Sequence, residues 1–409
     1  LSPLNSDTVR DWQLRKLGEM VAALAAKSRH YRERLKGIKP IFNSFEDLET
    51  LPFTWPADLA DTPSSFVHSP SRDIERVVTL ASSGTTAKPK RVFFSASDLE
   101  LTVDFFAAGM SEMVEYGQTA AIFMGNDAPG GLGALLSQAL ARLGVRPVVG
   151  GPVNDVGEAL DLLKRLKPTT LIGFPAQIHR LAMADGDYRP KSVLLAADYV
   201  SEAISRSISR LWACEIFEHY GSTESGFGGG VHCSAHIGYH LREADLLVEI
   251  VDPRTGRQLG DGQRGEVVFT TLNRQAMPLI RYRTGDLAKM LPAPCPCGSD
   301  TRRLGRIEGR VDGRRTERAV TIEELDEICF SCPDLIDYRV SYRGPVLAIK
   351  AELRAPETEK AFQRELAGGL SRFGMPFSLT FGPVPSGGQE KRTIGLDMGA
   401  SRLNRPEGA

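Results

Sequence analysis

The sequence predicts an α/β fold: a large N-terminal α/β domain with a parallel sheet and a β subdomain, then a small C-terminal α+β domain. Two observations favour it. Short apolar runs alternate with amphipathic stretches between residues 120 and 196, and from Asp245 polar turns link the apolar runs instead. The 409 residues are enough for two or three domains of about 150 residues each.

Local periodicity predicts the individual elements. Apolar residues between Val9 and Leu24 recur near a period of 3.6, which indicates an opening helix. Short apolar runs indicate strands, which we expect at Ala120 to Met124, Val145 to Val149, Thr170 to Ile172 and Val193 to Ala196. Amphipathic stretches indicate helices, which we expect at Leu132 to Leu143, Val156 to Leu166 and Ala176 to Ala184. This alternation favours a parallel sheet that binds ligands at the carboxyl ends of its strands.

After Asp245, the segments DLLVEIVD and GEVVFTTL flank a turn-rich stretch, which predicts antiparallel strands. A short α+β segment is expected from about Arg314.

Charge and hydropathy exclude several classes of protein. The chain has 50 Lys and Arg against 51 Asp and Glu, so nothing global indicates nucleic acid or an anionic membrane surface as a partner. No apolar run approaches the roughly 18 residues of a membrane span. We therefore expect a soluble, cytoplasmic protein.

The first chemical motif is ASSGTTAKPKRVFFS, Ala81 to Ser95, which follows an apolar run. Gly84 lets the backbone approach a ligand, and the loop combines hydroxyl donors with cations, as a polyphosphate requires. The donors are Ser82, Ser83, Thr85 and Thr86, and the cations are Lys88, Lys90 and Arg91. A polar turn is an equally good interpretation of this segment alone, and its spacing does not match G-x-x-x-x-G-K-[ST].

Two further motifs suit a nucleotide. In EHYGSTESGFGGG, Glu218 to Gly230, Tyr220 is suited to stacking on a purine and Glu224 to holding a divalent cation. In IRYRTGDLA, Asp286 follows a strand-like run and is suited to accepting bonds from ribose hydroxyls. Taken alone, a solvated glutamate and a turn aspartate are the alternatives.

Four motifs, in this order along the chain, resemble those of the adenylate-forming enzymes. They are the phosphate loop (SSGTTAKPK), the adenine and magnesium motif (YGSTE), the ribose motif (YRTGD) and the hinge (GRIEGRVDG). The segment GGLG, Gly130 to Gly133, and the C-x-C-G element that begins at Cys295 make the phenylacetate-CoA ligase-like branch the closer resemblance. It covers most of the chain. It implies an N-terminal core domain over residues 1–312 and a small C-terminal domain over 313–409 that rotates about Asp312. A structural salt bridge is the alternative role of Asp312.

The resemblance also implies a reaction. A carboxylic acid is activated with ATP and Mg²⁺ to an acyl-adenylate, and a thiol, either coenzyme A or a carrier protein, then takes the acyl group. Carried over by motif, Glu224 holds magnesium, Asp286 and Arg310 contact the ribose region, and the other nucleotide contacts are Ser82, Ser83, Gly84, Thr85, Thr86, Lys88, Tyr220, Gly221, Ser222 and Thr223.

The chain departs from the family near its C-terminus. Relatives read approximately G-K-x-x-R-V, where the lysine engages the substrate carboxylate and α-phosphate, but this chain reads GQEKRTI. Aligned on Gly388 and Arg392, Gln389 takes the lysine position and Lys391 lies two residues later. Both are therefore candidates for the catalytic position. Because Gln lacks the charge, a non-catalytic or impaired binder of a nucleotide or aryl acid is the alternative function.

Other departures concern the acyl group and the thiol. Ala196 to Tyr199 read AADY where relatives read G-A-E-P. We expect the acyl pocket to be lined by Ala197, Asp198, Tyr199, Phe174 and Gly131. Aromatic walls favour an aromatic acid, although core packing explains each residue separately. The segment DGRRTERAV lacks the R-G-x-x loop that relatives use against the thiol, so coenzyme A is a less specific expectation than ATP.

The cysteines predict a metal. Cys295 and Cys297 form a tight C-x-C, and Cys233 lies in a segment with three histidines, of which His240 matches the G-x-H context of the related proteins. Three thiolates and one imidazole suit a closed structural zinc site. Free buried thiols beside a surface His cluster are the alternative. The remaining cysteines are expected to pack as small apolar residues; they are Cys214, Cys329 and Cys332.

Overall fold

A computed structural model describes residues 6–80, 88–125, 130–311, 320–385 and 392–396. Its α-helices, in chain order, are α1 (Ser6–Lys27), α2 (Arg29–Arg34), α3 (Pro56–Asp61), α4 (Ala96–Met110), α5 (Leu132–Arg142), α6 (Val156–Leu166), α7 (Pro175–Ala184), α8 (Glu202–Trp212), α9 (Ile322–Cys329) and α10 (Glu359–Leu370). Short 3-10 helices lie at Glu46–Thr50, Pro63–Phe66, Ser71–Asp73, Pro356–Thr358 and Ser371–Phe373.

The β-strands are β1 (Ile74–Leu80), β2 (Lys90–Ser95), β3 (Thr119–Phe123), β4 (Arg146–Val149), β5 (Thr170–Gly173), β6 (Ser192–Leu195), β7 (Glu215–Tyr220), β8 (Gly230–Val231), β9 (Tyr239–Leu241), β10 (Leu246–Val251), β11 (Arg264–Thr271), β12 (Tyr282–Leu291), β13 (Arg303–Leu304), β14 (Leu335–Arg343), β15 (Val346–Leu353), β16 (Phe377–Phe381) and β17 (Gly395–Leu396). The chain divides into two compact units. The first comprises residues 1–118, 126–147 and 217–312, and the second comprises residues 119–125, 148–216 and 313–409.

In the first unit, β1 and β2 form an antiparallel pair in which Leu80 lies opposite Lys90. A second set of strands runs antiparallel in the order β10-β11-β12-β13-β9-β8-β7. Three of these strands supply the predicted nucleotide residues: β2 carries Lys90, β7 ends at Tyr220, and β12 carries Asp286.

Helix α4 follows β2 directly because Ser95 and Asp98 form a capping box at its N-terminus. The same Asp98 carboxylate accepts hydrogen bonds from the backbone N–H groups of Gln275 and Ala276, at 2.7 and 2.9 Å. One buried side chain therefore fixes both the start of α4 and the segment that precedes β12.

In the second unit, β3, β5 and β6 are parallel and follow the order β6-β5-β3-β4. A smaller sheet has the order β16-β15-β14-β17, in which β14 and β15 are antiparallel. One hydrophobic core joins both parts of this unit, because it contains Leu171 and Ile204 together with Leu325, Tyr338 and Leu347.

The α/β prediction is confirmed, since the structure has a sheet with parallel strands and a small C-terminal sheet. The strands and helices predicted between residues 120 and 196 agree with β3 to β6 and α5 to α7 to within one residue at each end. The two segments expected to be antiparallel are β10 and β11, which pair from Leu246 opposite Thr271 to Val251 opposite Glu266. Among the described helices, none has both the length and the apolar character that crossing a bilayer requires.

Candidate functional site

Glu224, the predicted magnesium ligand, lies buried in the first unit, where its side chain is 5% exposed. Its Oε1 accepts hydrogen bonds from the ammonium group of Lys90 and, at 2.9 Å, from the hydroxyl of Tyr282. Burial raises the pKa of the Glu224 carboxyl, but the Lys90 ammonium and the hydrogen bonds outweigh burial, so the pKa lies below its usual value. The carboxylate is therefore ionised and already has a cationic partner.

Arg274 fixes the backbone at Glu224. Its guanidinium donates to the Glu224 carbonyl oxygen at 2.6 Å and to the Phe93 carbonyl oxygen at 3.3 Å, and it lies 4.3 Å from the centroid of the Phe94 ring. Burial lowers the pKa of Arg274 to about 10, so it stays charged at neutral pH. The first strand after the phosphate loop is thus tied to the YGSTE segment.

Tyr220 and Asp286, from the adenine and ribose motifs, form one hydrogen-bonded group with Arg310. The Tyr220 hydroxyl donates to Asp286 Oδ2 at 3.0 Å, and Arg310 approaches Asp286 Oδ1 at 3.2 Å. Arg310 also donates to the Thr284 carbonyl oxygen at 2.8 Å. Burial, with the adjacent Asp286 carboxylate, raises the pKa of Tyr220 well above its usual value, so the phenol keeps its proton.

The turn that carries Gly221, Ser222 and Thr223 is tightly packed. A Cβ at Gly221 would lie 2.9 Å from the Cα of Gly228 and 3.0 Å from the Phe227 carbonyl oxygen, so only glycine fits there. The Ser222 backbone N–H donates to Ser225 Oγ at 3.0 Å, and the Thr223 carbonyl accepts from the Gly226 N–H at 3.1 Å. These bonds hold the loop between Tyr220 and Glu224 in one conformation.

The predicted phosphate loop is only partly described. Ser82, Ser83, Gly84, Thr85 and Thr86 lie outside the described residues. Lys88 is exposed and forms a 3.2 Å ion pair with Asp61. The hinge candidate Asp312 and the catalytic candidates Gln389 and Lys391 also lie outside the described residues.

Among the predicted acyl-pocket residues, Asp198 and Tyr199 contact C-terminal residues of the second unit. Asp198 Oδ2 accepts from the Arg392 backbone N–H at 2.9 Å, and the Tyr199 hydroxyl donates to Glu327 at 3.1 Å. Ala197 has a φ of 70°, in the left-handed region. The two other residues of this set begin helices: Gly131 is the N-cap of α5, and Phe174 is the N-cap of α7.

Arg392, the first described residue after Lys391, is held by carboxylates and rings. Its guanidinium lies 2.6 Å from Asp337 and 3.2 Å from Asp326, and it stacks over the Tyr338 ring at 4.4 Å. Arg392 is thus anchored to α9 and β14.

Cys233, His240, Cys295 and Cys297 come together in the first unit, with their ligand atoms all within 4.8 Å of one another. Cys233 follows β8, His240 lies in β9, and the other two lie between β12 and β13, which are neighbours in one sheet. His240 Nε2 lies 3.3 Å from the Cys295 sulfur and 3.4 Å from the Cys297 sulfur, and its Nδ1 lies 2.9 Å from Thr301 Oγ1.

Spacing of this kind fits a tetrahedral metal site, and the bond from Nδ1 to Thr301 leaves Nε2 to face the sulfurs. His232 instead stacks on Tyr239, with ring centroids 5.0 Å apart. The other cysteines are buried within the core of the second unit: Cys214, Cys329 and Cys332.

The sequence interpretation did not assign roles to Tyr282 and Arg274. Tyr282 belongs to the same YRTGD segment as Asp286, so its position in a nucleotide motif was the available signal. Arg274 has no such signal, because it lies 50 residues from the backbone carbonyl that it binds.

Comparison with known proteins gives three findings. The sequence model of a family described as AMP-binding enzyme matches residues 30–274. A phenylacetate-coenzyme A ligase from Thermus thermophilus is 30% identical over 392 residues, which cover 90% of this chain and 85% of that protein. A phenylacetate-coenzyme A ligase from Aromatoleum evansii is 28% identical over 403 residues, which cover 90% of this chain and 89% of that protein.

Among solved structures, a crystal structure of 2-hydroxyisobutyryl-CoA ligase in complex with 2-HIB-AMP superposes with a TM-score of 0.84 at 18% sequence identity. It covers 97% of this chain and 91% of that one. At this identity, the likeness shows that the two chains share a fold.

Proposed function

Because this chain belongs to the family of AMP-binding enzymes, we propose that it is an adenylate-forming acid–thiol ligase. A carboxylate oxygen of the substrate attacks the α-phosphorus of ATP, which gives an acyl-adenylate and pyrophosphate. The sulfur of a thiol then attacks the acyl carbon, which gives a thioester and AMP. The family membership and the phenylacetate-coenzyme A ligases at 28 to 30% identity support this reaction.

One observation carries the proposal. Residues from separate motifs meet in two adjoining polar groups of the first unit: Glu224 with Lys90 and Tyr282, and Tyr220 with Asp286 and Arg310. An ionised, buried carboxylate suits a cation that also binds phosphate oxygens, and a carboxylate fixed by a phenol suits ribose hydroxyls. Negative charge that develops at the phosphate is stabilised by preorganised donors of this kind.

We assign magnesium to Glu224. The donor set fits, since Mg²⁺ in nucleotide sites takes one or two carboxylates together with substrate phosphates. When bound, the ion neutralises charge on the phosphates. The Lys90 ammonium already forms an ion pair with the Glu224 carboxylate. We therefore expect the ammonium group and the magnesium ion both to interact with the negative charge of this carboxylate.

We assign the acid to the aromatic class and the acceptor to coenzyme A. The relatives named phenylacetate-coenzyme A ligases support both assignments. The proposed domains comprise residues 1–312 and 313–409, with Asp312 as the hinge. The proposed residues of the acyl pocket are Phe174, Ala197, Asp198, Tyr199 and Gly131. A cytoplasmic location belongs to the same proposal.

We further propose that Cys233, His240, Cys295 and Cys297 hold a structural zinc ion. Four ligands of this chemistry leave no open position on a tetrahedral ion, so zinc would stabilise the fold and take no part in the reaction. It would join β8, β9 and the segment between β12 and β13.

Pyrophosphate exchange with a panel of carboxylic acids tests the function. The panel contains phenylacetate, ring-substituted benzoates and short 2-hydroxy acids. We expect ATP–pyrophosphate exchange with at least one aromatic acid, and a loss of about 10²- to 10³-fold in Glu224→Gln, which removes the charge that holds the cation. Binding of ATP or an aryl acid by calorimetry, without exchange for any acid, would instead establish the non-catalytic alternative.

Two further variants identify the catalytic lysine. If Lys391→Ala alone abolishes exchange, the lysine has moved by two positions along the sequence. If Gln389→Lys alone raises exchange, the natural chain is impaired in adenylation and its thiol-transfer step is the better-preserved half-reaction.

A further inference from the structure

A concave surface of the first unit, formed by α1, α2 and the segment after α3, borders a volume of about 530 Å³ that is open to solvent. Lys27, Arg29, Arg34, His30 and His68 line it. We propose that this basic pocket binds a phosphate-bearing ligand of nucleotide size. Its lining belongs to none of the nucleotide motifs, so the proposal goes beyond the ligase function and does not depend on it.

The pocket concentrates positive charge in a chain whose net charge is −1. Lys27 and Arg29 are exposed, and within the described part of the chain neither forms an ion pair with a carboxylate. Glu33 is the acidic residue that lines the pocket. Uncompensated cations that converge on a concavity attract an anion more strongly than the same cations on a flat surface.

Arg34 is held in place, which lowers the entropic cost of binding. Its guanidinium donates to the Phe53 carbonyl oxygen, lies 3.6 Å from Asp58, and lies 5.7 Å from the centroid of the Phe66 ring. A preorganised guanidinium with donors to spare suits the fork geometry of phosphate recognition.

Two imidazoles, His30 and His68, line the pocket beside the cations. His30 packs edge-on against Phe66, with ring centroids 4.4 Å apart, and its Nε2 is buried without a hydrogen-bond partner among the described residues. The backbone N–H of His68 donates to the Ala276 carbonyl oxygen at 2.8 Å, which fixes the position of that residue. Because the His30 nitrogen is buried, it does not face the open pocket, and His30 borders a ligand there with the rest of its ring.

Hydroxyl groups complete the lining. Ser28 Oγ accepts from the Tyr31 backbone N–H at 3.3 Å, so its own proton is free to be donated, and Ser65 lies across the pocket. Ammonium, guanidinium, imidazole and hydroxyl groups together match a dianion with several oxygens better than they match a single carboxylate. The volume exceeds that of inorganic phosphate and lies in the range of small-molecule sites, so the phosphate is expected to carry a larger group.

Position at a helix end explains only part of this arrangement. Lys27 lies in the last turn of α1, where a cation offsets the partial negative charge of the helix terminus. That role accounts for one lysine. It does not account for two imidazoles and two further cations around the same space.

Histidine ring signals give a local test, because the chain has seven histidines. Protein labelled at histidine Cε1 gives one proton–carbon signal for each ring, and His30→Asn, His68→Asn and His219→Asn assign three of them. The full chain is titrated with pyrophosphate in one arm and with adenosine 3′,5′-bisphosphate in the other. His219, adjacent to Tyr220, reports binding at the predicted adenine motif.

If the pocket recognises phosphate alone, we expect saturable shifts of the His30 and His68 signals in both arms. If it also requires a nucleoside, we expect these shifts in the bisphosphate arm and not in the pyrophosphate arm. The double variant Lys27→Glu/Arg29→Glu should weaken this binding at least tenfold. The double variant Arg72→Glu/Lys164→Glu is the control, because these two exposed cations lie outside the lining and their replacement makes the same charge change.

Three results would each overturn the proposal. The His30 and His68 signals stay unmoved in both arms, whether or not the His219 signal shifts; sodium chloride at equal ionic strength reproduces their shifts; or the double variant Lys27→Glu/Arg29→Glu binds as tightly as the wild type.

Discussion

The hydroxyl of Tyr220 donates a hydrogen bond of 3.0 Å to Oδ2 of Asp286, which joins the adenine motif to the ribose motif. Tyr220→Phe removes this bond and keeps the ring. A carboxylate that is no longer held in position loses about one hydrogen bond to the ribose, worth about 1 kcal/mol, so we expect AMP affinity measured by calorimetry to fall about fivefold. Tyr188→Phe is the matched control, since that hydroxyl bonds the Pro168 carbonyl in the second unit. Unchanged AMP affinity in Tyr220→Phe would remove Asp286 from the ribose assignment.

Lys90 lowers the pKa of Glu224 against the effect of burial. A carboxylate whose pKa is lowered by folding stabilises the protein fully when the pH is above the pKa of that carboxylate in the unfolded chain, near 4.5. This contribution disappears as the pH falls through the lower pKa of the folded state. Without Lys90, burial raises the pKa of Glu224, so we expect the difference in unfolding free energy between the wild type and Lys90→Met to be largest at neutral pH and to shrink as pH falls from the raised pKa of the variant to the lowered pKa of the wild type.

Urea unfolding across a pH series measures this difference. Lys88→Met is the control, because its pair with Asp61 is exposed and such pairs contribute little. A difference between the wild type and Lys90→Met that stays constant down to pH about 3 would contradict the assigned coupling.

The four-residue cysteine and histidine cluster should contain zinc. We expect elemental analysis to find about one zinc per chain, and Cys295→Ser to lose the metal and melt on the order of 10 °C lower, because structural zinc contributes directly to folding. Cys214→Ser is the control, since Cys214 is buried outside the cluster. Purified wild-type protein with far less than one zinc per chain would refute the zinc site.

Gly221 should not tolerate a side chain. An added Cβ would lie 2.9 Å from the Cα of Gly228, which is backbone and cannot rotate away. We expect Gly221→Ala to reduce the unfolding free energy by about 1–3 kcal/mol and to weaken AMP binding. Gly260→Ala has its nearest contact at 3.6 Å, to a side-chain oxygen of Gln263, and should be nearly neutral. Equal stability of the two variants would show that the YGSTE turn can relax.

Asp326 is buried in the second unit between Arg392 and Tyr338, and burial raises its pKa from 3.8 to about 7 although both neighbours oppose the shift. A carboxyl whose pKa is raised by folding favours the folded state most below pH about 4, and this contribution is lost as pH rises to about 7. Asp326→Asn stays neutral throughout. We therefore expect the unfolding free energy of the wild type, relative to Asp326→Asn, to decrease between pH 4 and 7; an increase over that range would contradict the burial effect.

The secondary structure around β3 to β6 could be predicted because each strand is an apolar run between polar turns, and burial produces that pattern directly. The motifs also identified Tyr220, Glu224 and Asp286, whose side chains lie in two hydrogen-bonded groups. Which of the motif residues bond to one another was not predictable from local patterns. Lys90 reaches Glu224 across 134 residues of sequence, and that pairing depends on how β2 lies against the YGSTE turn.

The predicted acyl-pocket residues illustrate the same limit. Asp198 and Tyr199 follow β6, where ligands commonly bind, so the sequence supports a pocket. The structure adds bonds from these two residues to Arg392 and Glu327, which lie 194 and 128 residues away. A short polar segment gives no indication of such distant partners.

The second unit draws its core from residues 119–125, 148–216 and 313–409. During synthesis, a ribosome releases Leu171 and Ile204 long before Leu325, Tyr338 and Leu347, with which they share one core. The apolar surface of the earlier residues therefore stays uncovered until residues 325 to 347 have been translated. This order of synthesis makes the protein a candidate for chaperone dependence, and a stop codon before residue 320 would leave that surface permanently exposed.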